Sequence, residues 1–170
     1  EDRVPGEWGH WSCRGMSWNA MCASCHNTDL RKNFDPEADT YRTTMSELGV
    51  GCEACHGPAA DHVAWHKAAV AGKSNTATYK KLASTPVVER CAPCHARRTE
   101  LTGTYDAGDI FADHYTPAIP DLADTWYPDG QVQGENYVYT SFRGSKMGHA
   151  GVTCLDCHDP HTAKLKAPAE

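Results

Sequence analysis

Long apolar runs are absent from this sequence, in which no stretch of 18 consecutive apolar residues occurs. Without such a stretch we expect no membrane-spanning helix. Apolar residues make up only 40% of the 170 positions, and the mean hydropathy is -0.60. The 14 Gly and 10 Pro leave few long periodic segments between them. A chain so short of core-forming residues is expected to fold around staples or a cofactor.

Positive charge is also scarce, since 16 Lys and Arg face 22 Asp and Glu, for a net charge of -6. A nucleic-acid partner, which would need a basic face, is therefore disfavoured. The acidic balance fits ordinary solubility, or docking to basic patches on redox partner proteins. The first residues, "EDRVPGEWGH", are charged at once and do not resemble a signal peptide, so we expect a mature or trimmed N-terminus.

Cysteine and histidine are abundant by contrast, with nine and ten residues. Eight of the nine cysteines form four pairs of identical spacing, and a His follows each pair directly. These four C-x-x-C-H motifs, numbered in chain order, are Cys22, Cys25 and His26; Cys52, Cys55 and His56; Cys91, Cys94 and His95; and Cys154, Cys157 and His158.

Three chemistries use cysteine pairs of this kind. Disulfides explain an even count but neither the uniform spacing nor the His. Zinc explains Cys pairs with His, but zinc-ribbon pairs usually lie about 15–20 residues apart, whereas 26, 35 and 59 residues separate these pairs. Covalent haem explains all three features, because C-x-x-C-H is the c-type attachment signature. Residues i and i+3 share a helix face, from which two thiols reach the two vinyl groups while the His reaches the iron. We therefore expect four haem c groups, and a periplasmic or extracellular location because such attachment takes place outside the cytoplasm.

The second and fourth motifs lie in a repeated phrase, "GVGCEACHGP" (Gly49 to Pro58) and "GVTCLDCHDP" (Gly151 to Pro160). We expect the Pro to end the short helix after the His. The first and third motifs have no such Pro, so two kinds of motif alternate along the chain. This order indicates an old duplication of a two-haem unit.

The ligand on the second face of each iron separates an electron carrier from a catalyst. The distal-ligand candidates are His10, His62, His114, His149 and His161, with His66 and Met147 as alternatives. His62 and His161 follow motif His residues too closely to reach the far face of the same porphyrin, so we expect them to ligate neighbouring haems. Pro160 is expected to hold the chain extended before His161. For each candidate, the competing interpretation is a hydrogen-bonded or surface residue.

Several other residues carry expectations of their own. Residues 57–72 are typical of an Ala-rich helix, and "NYVYTSF" (Asn136 to Phe142) predicts the one short strand. Trp8 and Trp11 are expected to form an apolar haem wall around His10; Trp18, Trp65 and Trp126 are also expected to pack against haem. Cys13 is left over, and a buried free thiol, a dimer disulfide and a thiolate ligand all remain open.

Four stretches together resemble a family of exported multihaem c-type cytochromes: "HWSCRGMSWNAMCASCHNTDLRKNFD", "ELGVGCEACHGPAADHVAW", "VERCAPCHARR" and "GSKMGHAGVTCLDCHDPHTAKLK". The resemblance spans most of residues 8–166 and implies an electron carrier with haems in alternating parallel and perpendicular pairs. By the same resemblance, His10, His62, His114 and His161 fall in shared segments, and His149 in a variable one. Many members carry further haem motifs and a tetratricopeptide region that this chain lacks. It is therefore either a minimal tetrahaem protein or a fragment of a longer one. No motif has Lys in place of His, the mark of the catalytic haem in many nitrite-reducing relatives, which counts against that activity.

We therefore expect a mostly α-helical protein with much irregular structure, a single tetrahaem domain over residues 1–170 around a packed haem core. The expected function is electron transfer through four mostly bis-His haems, in a carrier rather than an enzyme. One alternative is a multihaem reductase with an open haem for a small nitrogen or oxygen species. Another is a subunit of an extracellular cytochrome filament, in which the chain assembles with itself.

Overall fold

The computed structural model describes residues 3–7, 9–13, 16–68, 86–121, 125–134 and 136–167. The helices in these residues are short, and the longest has nine residues. They are Trp18–Met21, Ala23–His26, Cys52–His56, Ala60–Lys67, Val87–His95, Phe111–His114, Tyr139–Gly144, Lys146–His149 and Cys154–Cys157. The expectation of short helices joined by much irregular structure is confirmed. Within the described ranges, no helix has the length and apolar character needed to cross a membrane.

The described strands have two or three residues each and form four antiparallel pairs. The pairs are Asn27–Thr28 with Glu47–Leu48, Phe34–Asp35 with Thr40–Tyr41, Arg98–Glu100 with Tyr115–Pro117, and His158–Asp159 with Lys164–Leu165. Sheets this small cannot form a core of their own. Instead, each pair joins two segments of the chain through backbone hydrogen bonds.

The expectation of a single strand within residues 136–142 is wrong, because Tyr139–Gly144 is helical. Contacts with other segments hold this helix. The Thr140 hydroxyl donates to the Ala118 carbonyl at 2.9 Å, and the Trp126 indole N–H donates to the Ser141 hydroxyl at 3.2 Å. Aromatic and β-branched residues favour strands only where a sheet accommodates them, and packing overrides that preference here.

The helix expected within residues 57–72 is observed over Ala60–Lys67. It begins three residues after Gly57, whose backbone is left-handed with a φ of 75°. Residues 69–72 lie outside the described residues, and so does Trp8 from the expected wall around His10.

The chain divides into two compact units. The first unit contains Glu1–Leu82 and Gly103–Gly108, and the second contains Ala83–Thr102 and Asp109–Glu170. The first two motifs belong to the first unit and the last two to the second, so each unit holds one motif of each kind. The single tetrahaem domain over residues 1–170 stays a prediction, because neither unit taken by itself tests it.

The interior of the first unit is mainly polar. Ala23 is its one buried apolar residue among those described, alongside the buried His10, Asn27 and Thr28. The Asn27 amide donates to the Ala23 carbonyl at 2.9 Å. A bridge between Arg31 and two carboxylates, Asp29 and Asp106, ties the 103–108 segment to this unit. Hydrogen bonds and ion pairs therefore take much of the part that an apolar core plays in other small proteins.

The second unit has a small aromatic core. Phe111 stacks on Tyr115 with ring centroids 5.3 Å apart and meets Tyr139 at 5.1 Å. The Arg98 guanidinium lies over the Tyr115 ring, 3.9 Å from its centroid. Such cation–π contacts stabilise by about 0.5–1 kcal/mol at exposed sites and more when buried. The buried Val88, Ala92 and Ala96 lie on or next to the helix that carries the third motif.

Candidate haem sites

Each C-x-x-C-H motif lies on a short helix that ends at the motif His or one residue before it, except that Cys22 directly precedes its helix. These helices are Ala23–His26, Cys52–His56, Val87–His95 and Cys154–Cys157. The helical turn brings the two cysteines of a motif to one side, and the His comes next along the chain. All eight motif cysteines are half-buried or exposed, and no disulfide joins them, so the sulfur atoms remain available for two thioether bonds at each motif.

Pro follows the helix end in only two of the four motifs. The first and third motif helices end at their His as well, although no Pro follows them. In three motifs the chain turns extended at or just after the His and enters a strand that pairs elsewhere, at Asn27, Arg98 and His158. At the second motif the left-handed Gly57 ends the helix. The second and fourth motif helices do end before Pro58 and Pro160, as expected, and strand pairing or glycine accompanies the end of every motif helix.

The Gly of the repeated phrase has a conformational role. Gly49 and Gly151 both have left-handed backbones, with φ angles of 94° and 81°. A Cβ on either residue would meet no atom within 4 Å, so the backbone angle rather than crowding requires glycine. Each glycine thus turns the chain into the segment that leads to its motif helix.

In the first unit a buried threonine links the two motifs. The Thr28 hydroxyl, 1% exposed, donates to the Gly49 carbonyl at 2.9 Å. The same oxygen accepts the Gly51 N–H at 2.9 Å. Because Thr28 lies two residues after His26 and Gly51 lies directly before Cys52, these bonds hold the end of the first motif beside the start of the second. No motif in the sequence indicated this role for Thr28.

In the second unit the two motifs adjoin through helix packing. The helix Cys154–Cys157 packs against the helix Val87–His95. The fourth-motif helix is capped at its start, where the Thr153 N–H and hydroxyl donate to one Asp156 carboxylate oxygen at 2.7 and 2.8 Å. These two bonds hold the pKa of Asp156 below its usual value. Each unit therefore brings two motifs together.

The donor sets of the motifs fit haem c. Each supplies two thiols and an imidazole in the attachment spacing, and no disulfide joins any of the nine cysteines. Within the described residues, no three His, Cys, Asp or Glu side chains are grouped as a metal site would need.

The distribution of apolar side chains also fits haem. Among the described residues, seven apolar side chains are buried and 17 large ones are exposed. Several exposed ones flank the motifs in sequence, such as Trp18 and Met21 before the first motif and Leu48 and Val50 before the second. A porphyrin offers an apolar face that such residues can cover. Of the other expected haem-packing tryptophans, Trp126 is 7% exposed and Trp65 is half-buried.

The distal-ligand candidates differ in exposure. His10 is buried, His62 and His114 are half-buried, and His66, His149 and His161 are exposed, as is Met147. The rings of His62 and His66 meet edge to face with centroids 4.4 Å apart, and Trp65 meets His66 in the same way at 4.7 Å. Burial thus favours His10, His62 and His114 as side chains with a fixed orientation.

Hydrogen bonds at His10 and His114 engage the same ring nitrogen. His10 Nδ1 lies 2.6 Å from the Ser12 hydroxyl and accepts the Ser12 backbone N–H at 3.1 Å. His114 Nδ1 lies 2.6 Å from the Thr102 hydroxyl, and its Nε2 lies 3.4 Å from the Asp109 carboxylate. In both rings, Nδ1 lies within hydrogen-bond distance of a side-chain hydroxyl.

His161 lies in a tight turn rather than in the extended segment expected from Pro160. Residues 160–163 connect the paired strands His158–Asp159 and Lys164–Leu165. The turn is closed by the Asp159 carboxylate, which accepts the His161 N–H at 2.9 Å. This bond, first among several, lowers the pKa of Asp159. An Asp side chain that accepts a backbone N–H two residues further along the chain commonly forms a turn. Here this bond turns the chain at His161, where Pro160 was expected to keep it extended.

The leftover Cys13 is a half-buried thiol. Its Sγ donates to the Glu7 carbonyl at 2.8 Å, within the N-terminal turns around His10. The thiol is half-buried rather than buried, and the three expectations for Cys13 stay predictions.

Comparison with known proteins points to cytochromes. The family model "Cytochrome c554 and c-prime" matches residues 11–57, which include the first two motifs. The crystal structure of the outer cell wall cytochrome OcwA shares the fold, with a TM-score of 0.54 and 22% sequence identity, and the match covers 89% of this chain. The chain spans 35% of the length of that protein. No curated protein matches the chain.

Proposed function

We propose that this chain is a multihaem c-type cytochrome, an electron carrier with four covalently bound haem c groups, two in each unit. Electron transfer is the function that the cytochrome similarities support. The observation that carries the finer proposal is the pairing of two complete motifs within each unit, through Thr28 in one and through packed helices in the other.

The protein's own residues would hold and tune each haem. The eight motif cysteines supply the thioether anchors, and His26, His56, His95 and His158 supply the proximal ligands. The distal ligands are drawn from His10, His62, His114, His149 and His161. When bound, a haem supplies an iron that alternates between ferric and ferrous states, and two His ligands favour a lower potential than His with Met.

Exposed apolar side chains beside the motifs would exclude water from the porphyrin faces, and burial of this kind is a further control on potential. The net charge of -6 suits docking to basic patches on redox partner proteins. An exported location, periplasmic or extracellular, follows from the attachment chemistry. It agrees with the outer cell wall location in the name of the structurally similar cytochrome.

The proposal is tested on the purified holoprotein. We expect a denatured mass larger than that of the polypeptide by four haems, and a reductive titration that takes up four electrons per chain. Electron paramagnetic resonance of the oxidised protein should show low-spin signals only. Haem released by acid acetone would contradict covalent attachment. A stoichiometric high-spin signal would instead favour the reductase alternative, because that spectrum reports an iron with an open position.

A further inference from the structure

We infer that Thr102 is a positioning residue for His114: its hydroxyl accepts the Nδ1 proton of that ring, and so leaves the Nε2 lone pair available to an iron. The inference rests on the proposed function, in which His114 is one of the distal ligands. It adds a residue that lies outside every motif and that is separated from His114 by 12 positions.

A strand pair holds Thr102 in place. Arg98–Glu100 pairs with Tyr115–Pro117, so Glu100 lies opposite Tyr115. The ladder continues one step further, because the Leu101 N–H donates to the His114 carbonyl at 2.8 Å. Thr102 follows directly, and its hydroxyl lies 2.6 Å from His114 Nδ1. Backbone hydrogen bonds between these two segments therefore bring the Thr102 hydroxyl close to His114 Nδ1.

The ring of His114 is held from its own side as well. His114 is the last residue of the helix Phe111–His114, whose Phe111 is buried and stacks on Tyr115. The His114 side chain is 16% exposed. The backbone on both sides of His114 is therefore held by the packing of Phe111 and Tyr115.

The position of the ring proton decides what Nε2 can do. A neutral imidazole carries one proton, and a metal-ligating His almost always donates its other ring N–H to an oxygen. Thr102 provides that oxygen. The Asp109 carboxylate, which can only accept, lies 3.4 Å from Nε2 and favours a proton there as long as no iron is bound. An iron at Nε2 would replace this contact, and the ring proton would then lie on Nδ1, 2.6 Å from the Thr102 hydroxyl.

His10 shows the opposite arrangement and supplies a matched control. Its Nδ1 accepts a backbone N–H, from Ser12 at 3.1 Å. A backbone N–H can only donate, so Nδ1 of His10 presents its lone pair and the neutral ring carries its proton on Nε2. With this tautomer His10 would not ligate an iron through Nε2, so it ranks below His114 among the distal-ligand candidates. Removal of the Ser12 hydroxyl leaves this backbone donor in place. Ser12→Ala therefore deletes the same kind of 2.6 Å contact without changing the tautomer of the ring.

The experiment compares holoprotein variants by electron paramagnetic resonance and by redox titration. We expect Thr102→Val, and Thr102→Ala as a second deletion, to shift the g-values of one low-spin haem and to raise its midpoint potential, because the ligand loses its hydrogen-bond acceptor and becomes a weaker donor. Thr102→Ser should restore both properties. Ser12→Ala should leave all the spectra as in the wild type.

His114→Ala separates the inference from the proposed function. If it produces one high-spin haem while Thr102→Val and Thr102→Ala match the wild type, His114 is a ligand and the positioning role is wrong. If every haem stays low-spin in His114→Ala, His114 is not a ligand and both statements fall. A shift in the Thr102 variants that Thr102→Ser does not reverse would also overturn the positioning role, since the hydroxyl would then not be its cause.

Discussion

At the scale of single residues, small hydroxyl side chains hold the segments around the haem motifs. Thr28 bonds both sides of the segment that enters the second motif, and Thr153 caps the helix of the fourth. Buried polar groups of this kind stabilise when every bond is made and cost free energy when one partner is lost. In a chain with few apolar residues, the positions of its cofactor anchors therefore depend on a few oxygen atoms.

Thr28→Val is expected to lower the free energy of unfolding of the holoprotein by about 1–3 kcal/mol, because it leaves the Gly51 N–H and the Gly49 carbonyl without their bonds in a buried place. Thr99→Val, at an exposed strand position, is the matched control and should change stability by less than about 0.5 kcal/mol. Guanidinium unfolding followed by circular dichroism measures both. Equal stability of the two variants would show that Thr28 does not link the motifs.

At the scale of elements, the motif helices are too short to be stable by themselves. Four- and five-residue helices such as Ala23–His26 and Cys52–His56 lie far below the length at which isolated helices form. Their ends are set by strand pairing and by left-handed glycines rather than by helix propensity. The repeated phrase thus contains both the motif and the left-handed glycine that turns the chain before the motif helix.

Gly49→Ala and Gly151→Ala are each expected to destabilise the holoprotein by about 1–2 kcal/mol, the cost of a left-handed backbone for a residue with a Cβ. Gly144→Ala is the control, since a Cβ there also meets no atom within 4 Å but its backbone is helical. That substitution should be neutral or stabilising by up to about 1 kcal/mol. Thermal unfolding of the three variants gives the ranking, and a loss of stability in Gly144→Ala equal to the others would argue against a backbone origin.

At the scale of the whole molecule, the protein has two compact units with little apolar interior. Six of the seven buried apolar residues described belong to the second unit. A cofactor that binds only the folded chain contributes its binding free energy to folding. Haem is therefore expected to stabilise the folded state of both units, and not to bind to units that are already stable without it.

Replacement of the eight motif cysteines by Ser is expected to abolish the cooperative unfolding transition, because too little apolar surface remains to offset the conformational entropy of the chain. Cys13→Ser serves as the control: this cysteine lies outside the motifs and its thiol donates only a local bond to Glu7. We expect Cys13→Ser to unfold cooperatively with all its haems. Differential scanning calorimetry decides, and a sharp endotherm from the eight-cysteine variant would demonstrate a protein core that forms without haem.

The sequence by itself determined the haem motifs, their number and their alternation in kind, because covalent attachment depends on the local order Cys-x-x-Cys-His and on nothing distant. It also determined that short helices would carry them, since that spacing suits a helical turn. The Ala60–Lys67 helix was predictable for the same local reason.

Only the tertiary structure decided which motifs lie side by side and which oxygens hold the His rings. Tyr139 belongs to a helix that is held by the distant Ala118 carbonyl, and propensity alone does not reveal such a partner. The turn at His161 depends instead on a local bond to the Asp159 carboxylate, two residues away. Thr28 meets Gly49 and Gly51, and Thr102 meets His114, across 21, 23 and 12 positions. Contacts over those separations depend on strand pairing, and strands of two or three residues leave too weak a pattern in the sequence for their register to be predicted.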